Sequence, residues 1–120
     1  MANYQLGPII GKLGGAEVQK IPVEAATDGS AGSEVIMHTV HVPEGETWLV
    51  VLSGDLTAFY TTSNGPQLFI GEVSIGPSLP EGRIAITAEA TGTAEIILKR
   101  NHGLGTDSFS GHVYTVPMPA

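Results

Sequence analysis

Arg83-Ile84-Ala85-Ile86-Thr87-Ala88-Glu89 is the stretch that decides the fold class. In an extended chain its side chains alternate between two faces, so Ile84, Ile86 and Ala88 share one face while Arg83, Thr87 and Glu89 share the other. After Thr91-Gly92-Thr93 the same alternation resumes: Ala94, Ile96 and Leu98 lie on one side, with Glu95 and Lys99 opposite. Two period-two runs separated by a glycine-centred turn predict a β-hairpin.

Working outward, Thr47-Trp48-Leu49-Val50-Val51-Leu52-Ser53, then Gly54-Asp55, then Leu56 to Thr62 reads as a second hairpin. Its first strand is apolar on both faces, as expected of a central strand. Pro43-Glu44-Gly45 and Pro80-Glu81-Gly82 precede the two first strands in the same way. The frame fits either a sandwich of two similar hairpin units or the ordinary sequence habit of tight turns.

Sixteen glycines and eight prolines are spread so evenly that no interval between them exceeds ten residues. That spacing leaves room for strands and excludes long helices. Further strands are expected at 18–26, 33–42, 67–75 (with a break at Gly71) and 109–116. The chain therefore reads as all-β, an antiparallel β-sandwich or jelly roll of about eight strands, with one domain over residues 18–120.

Residues 1–17 read differently. Leu6, Ile9, Ile10 and Leu13 need burial, yet they are interleaved with Gly7, Pro8, Gly11, Gly14 and Gly15 in neither strand nor helix periodicity. One reading is an N-terminal arm that docks on a neighbouring subunit, with a reach of about 55 Å if extended. The other is a first edge strand folded onto its own domain.

Composition excludes several functions. Five Lys/Arg against twelve Asp/Glu give a formal net charge of −7, and among the basic residues only Lys99 and Arg100 adjoin. Binding to a phosphate backbone needs a clustered cationic face, so neither nucleic acid nor an anionic membrane surface is an expected partner. The opening Met-Ala-Asn-Tyr-Gln-Leu lacks the basic region and apolar stretch of a secretory signal, and no apolar run approaches the ~20 residues of a spanning helix. With no cysteine, neither a disulfide nor a thiolate metal site is available.

No side-chain constellation points to catalysis, and no cofactor is expected. His38 and His41 are three apart in one predicted strand and so point to opposite faces; they cannot jointly hold an ion without a bulge. His102 falls in a glycine-flanked loop and His112 in the last strand. There is no nucleophile elbow and no phosphate loop. Glu44/Glu46 and Glu89/Glu95 read as exposed turn and strand residues rather than a glycosidase pair. Asp28, Asp55 and Asp107 sit beside Gly or Ser, where Asp caps turns. Trp48 and Phe69 lie in apolar runs and read as core, which leaves Tyr4, Tyr60 and Tyr114 as candidates for a contact surface.

Two family resemblances follow from particular phrases. His38-Thr39-Val40-His41-Val42-Pro43-Glu44-Gly45 with Val50-Val51-Leu52-Ser53-Gly54-Asp55-Leu56 resembles the first motif of the cupins, and Leu79-Pro80-Glu81-Gly82 the start of their second. Cupins are metal-binding jelly rolls with paired histidines two apart and a third histidine in the second motif. Here the pair is three apart and no histidine lies between His41 and His102, which argues against a metal-dependent cupin enzyme and leaves a metal-free relative of the fold open.

The arm from Tyr4 to Gly15, the phrase Val42-Pro43-Glu44-Gly45-Glu46-Thr47-Trp48 and the closing Gly111-His112-Val113-Tyr114-Thr115-Val116-Pro117 together resemble small structural proteins of tailed bacteriophages. These include capsid decoration (cement) proteins and fibre domains. The resemblance implies a non-enzymatic virion component, assembled in the host cytoplasm. Its partners are copies of itself, with a trimer favoured, and a major capsid or other virion protein. The arm residues Leu6, Ile9, Ile10 and Leu13 are its expected interface. A carbohydrate-binding or metal-free cupin-like module, using a sheet face or the barrel mouth, is the other function class compatible with the sequence.

Overall fold

The computed structural model describes residues 18–58, 65–101 and 105–119. They form strands β1 (Gln19–Ala26), β2 (Glu34–His41), β3 (Trp48–Ala58), β4 (Gln67–Ile70), β5 (Val73–Ile75), β6 (Gly82–Ala90), β7 (Thr93–Lys99) and β8 (Asp107–Pro117). All pairings are antiparallel, in two four-stranded sheets. Sheet A has the order β1-β8-β3-β6 and sheet B the order β2-β7-β4-β5. Consecutive strands change sheet at every step except β4 to β5, which is the winding of a jelly roll. The expected all-β sandwich is therefore the observed fold. The expected break at Gly71 is also present, as the β4–β5 turn at Gly71-Glu72.

Both predicted hairpins are corrected. β6 and β7 follow each other across Thr91-Gly92, yet they lie in opposite sheets. Alternation shows that a strand has one buried face; it does not show which sheet holds the strand. Ile84, Ile86 and Ala88 enter the core from sheet A, and Ala94, Ile96 and Leu98 meet it from sheet B. Both arrangements satisfy the same pattern.

Gly54-Asp55 is not a turn either, because β3 runs straight through it. Gly54 pairs with Gly111 of β8 and faces inward. A methyl group at Gly54 would lie 2.7 Å from Gly111 Cα and 2.8 Å from the Phe109 ring, so the glycine there permits close strand approach rather than reversal. The remainder of that predicted second strand, residues 59–62, lies outside the described residues.

The core fills the space between the sheets. Val50, Leu52 and Leu56 of β3, Phe109 and Val113 of β8, and Leu68, Ile96 and Leu98 of sheet B are almost fully buried. Trp48 packs against the edge of this core, half-buried, with its indole N–H donating to Glu46 Oε1 at 2.9 Å. Phe69 does not belong to the core. It is half-buried on the outer face of sheet B, because its neighbours Leu68 and Ile70 take the inward positions.

The β1–β2 and β7–β8 connections leave from the same end of the sandwich, where a buried ion pair links the two ends of the β7–β8 connection. Arg100 Nη1 lies 2.6 Å from Asp107 Oδ1, and both side chains are excluded from solvent. Main-chain bonds surround the pair: Arg100 N donates to Ser33 O, Gly32 N to Arg100 O, and Thr27 N to Asp107 O. Asp107 N in turn donates to Thr27 Oγ1 at 3.0 Å. Asp107 is thus a buried charge rather than the turn cap read from the sequence.

Candidate functional site

Strand register fixes which side chains share each outer face. On sheet B, Ile97 of β7 pairs with Ile36 of β2 on one side and with Phe69 of β4 on the other. The three form one apolar row across three adjacent strands. Ile36 is 54% exposed, and Ile97 and Phe69 are half-buried. Among the described residues the two exposed large hydrophobics are Ile36 and Val73, and both belong to sheet B. One step along β7 the row is bordered by Glu95, paired with Thr39, and on the other side by Lys99, paired with Glu34 and Gln67.

The outer face of sheet A differs. Its middle carries short polar side chains, with Ser53 registered against His112 and Asp55 against Ser110 and Arg83. A shallow open depression lies there, floored by Ser53, Ser110 and Gly111 and bordered by Glu24, Asp55, Arg83, His112 and Tyr114. The Asp55–Arg83 pair spans 3.4 Å with both side chains mostly in solvent, so it contributes little to stability. Tyr114 is half-buried; Lys20 Nζ lies 5.9 Å from its ring centre and the His112 ring 6.1 Å away. Towards the end where the chain enters β1, this face turns apolar: Leu49 pairs with Val116 and Val51 with Tyr114. Val116 is only 3% exposed even though alternation sets it on the outer face.

Of the candidate residues from the sequence, Tyr114 thus sits on an outer sheet face. Tyr4, Tyr60, His102 and the arm residues Leu6, Ile9, Ile10 and Leu13 lie outside the described residues. His38 pairs with the inward Ile96 and His41 with the outward Thr93, so the two histidines do point to opposite faces. The β2 bulge falls at Met37, before His38, and leaves that separation intact. Among the described residues no three His, Asp or Glu side chains converge as a metal site would require.

Asp28 does cap a turn. Ser30 donates to its carboxylate from both the side-chain hydroxyl and the main-chain N–H, and these bonds hold the Asp28 carboxyl below the usual carboxylate range.

The Ile36–Ile97–Phe69 row is not evident from the sequence alone. Its signal was present as apolar residues at outward positions of otherwise alternating strands, but the row exists only once three strands distant in sequence are aligned. No protein-family model, curated protein or solved structure matches the chain.

Proposed function

We propose that the chain is a non-catalytic structural protein of a virus particle, a bacteriophage capsid decoration, cement or fibre component. In this reading it acts by associating with copies of itself and docking on the virion. The observation that carries the reading is the apolar row on sheet B. A flat face with an exposed isoleucine in its apolar row suits a protein surface better than a small molecule, which needs a concave pocket. The jelly-roll strand order is compatible, since viral capsid domains use it; so do lectins and cupins, and the fold alone therefore does not choose among them. The arm, through Leu6, Ile9, Ile10 and Leu13, supplies a second attachment to a neighbouring subunit or to the major capsid protein. Deleting residues 1–15 tests this: particle binding, oligomer mass or both should fall, and unchanged values for both would overturn the reading.

A sugar-binding module is the second reading. The observation favouring it is the sheet A depression, where Tyr114 offers a ring and Glu24, Asp55, Arg83 and His112 offer hydrogen-bonding groups. A glycan array on the purified protein separates the two, since specific retention abolished by Tyr114→Ala would favour the module.

A further inference from the structure

From the outer face of sheet B we infer that a second copy of this chain packs on it, face to face, about a two-fold axis lying along the Ile36–Ile97–Phe69 row. The inference rests on the self-association proposed above and specifies its surface and symmetry. Two features carry it: the exposure of the row and the charges that flank it.

Two copies packed face to face through the same patch are related by an axis lying in the plane of the interface. Two orientations of that axis through Ile97 are natural. An axis parallel to β7 would place Ile36 over the partner's Phe69, but it would also set Glu95 over the partner's Glu95 and Lys99 over the partner's Lys99. Like charges facing across an interface oppose association. An axis perpendicular to β7, along the row, keeps each apolar residue over its own counterpart and exchanges the two ends of the strand. Glu95 and Lys99 lie on the same face of β7, about 6.7 Å on either side of Ile97. After the exchange Glu95 meets the partner's Lys99 and Lys99 meets the partner's Glu95, while Glu34 meets the partner's Thr39. Stacked sheets with native twist cross at about 30°, which keeps residues this near the axis opposed.

The charge pattern thus selects one arrangement of two. A contact of this symmetry joins copies in pairs; a trimer of the kind the phage resemblance implies would need a different contact, such as one made by the arm.

Sedimentation velocity over about 1 to 100 µM, the range suited to a small interface, tests the geometry. The wild-type chain should associate. Glu95→Lys and Lys99→Glu should each weaken self-association at least tenfold without changing the circular dichroism spectrum. Mixing those two variants should restore a dimer containing one of each. In that mixed dimer the chain with lysine at both positions faces the chain with glutamate at both, so each charge meets its opposite. Ile97→Glu should weaken association and should not be rescued by either. If the wild-type chain associates while the charge and Ile97 variants keep its mass, this surface is not the contact and only the geometry fails. Single variants that dissociate but form no mixed dimer would overturn the two-fold arrangement. A wild-type monomer across the whole range would overturn the self-association reading as well.

Discussion

The two outer faces of the sandwich are built from the same alternation and end up chemically unlike. Sheet A carries serines, threonines and an exposed ion pair at its middle, and gathers Leu49, Val51 and Val116 at the end where the chain enters β1. Sheet B does the reverse, placing its apolar residues at the middle and its charges to either side. A polar middle is content in water, whereas an apolar middle with charged flanks favours a specific partner and registers it. Under the proposed function the difference favours sheet B as the assembly face, and under the second reading it favours sheet A as the face for a small polar ligand.

Both faces hang on one frame, and cutting that frame has the largest expected effect. Arg100 follows β7 of sheet B directly, and Asp107 is the first residue of β8 in sheet A, so their pair ties the two sheets together at one end. Asp107→Asn keeps the shape and removes the carboxylate charge that faces the buried arginine. The expected cost is about 3–5 kcal/mol, read from urea denaturation. A loss below about 1 kcal/mol would mean the two sheets are held in register by packing alone, and the faces could then be treated as independent.

The next effect concerns sheet A alone. Gly54→Ala drives a methyl group against Gly111 Cα and the Phe109 ring, beneath the depression that Gly111 helps to line. Overpacking of this kind costs about 1–3 kcal/mol. Gly111→Ala should cost a similar amount, since a methyl there would lie 2.6 Å from Gly54 Cα. The double variant should depart from additivity because both changes strain one contact. Simple additivity would show that the strands yield separately and that the depression on sheet A does not depend on the glycine pair.

The sequence made the strands legible and left their partners hidden. Period-two alternation and the spacing of Gly and Pro located strands close to their observed limits, and the β4–β5 break at Gly71 could be read directly. The pairings could not, because burial periodicity is satisfied equally by a hairpin and by two strands facing each other across a core. Gly54 misled for a related reason: glycine marks both turns and close strand approach, and only its pairing with the distant Gly111 distinguishes them. Phe69 reads as core because its neighbours are apolar, although alternation within Leu68-Phe69-Ile70 places it opposite them. The ion pair was the least legible feature, since nothing local to Arg100 or Asp107 signals burial.

The smallest expected effect is the one that sharpens the comparison most. Val116 and Ile36 both occupy outer-face positions, at 3% and 54% exposure. Threonine keeps the β-branched shape at either site and adds a hydroxyl. Val116→Thr buries that hydroxyl among apolar neighbours and should cost about 1–3 kcal/mol. Ile36→Thr, in dilute solution where the chain is monomeric, should alter stability by no more than about 0.5 kcal/mol. At higher concentration the two should differ in the opposite sense. Association adds stability that grows with concentration, so the wild-type melting temperature should rise with protein concentration. That rise should persist in Val116→Thr and shrink in Ile36→Thr. If Ile36→Thr instead destabilises the dilute protein as much as Val116→Thr does, then Ile36 is packed within its own chain. The apolar middle of sheet B would then belong to the fold of one copy rather than to the meeting of two.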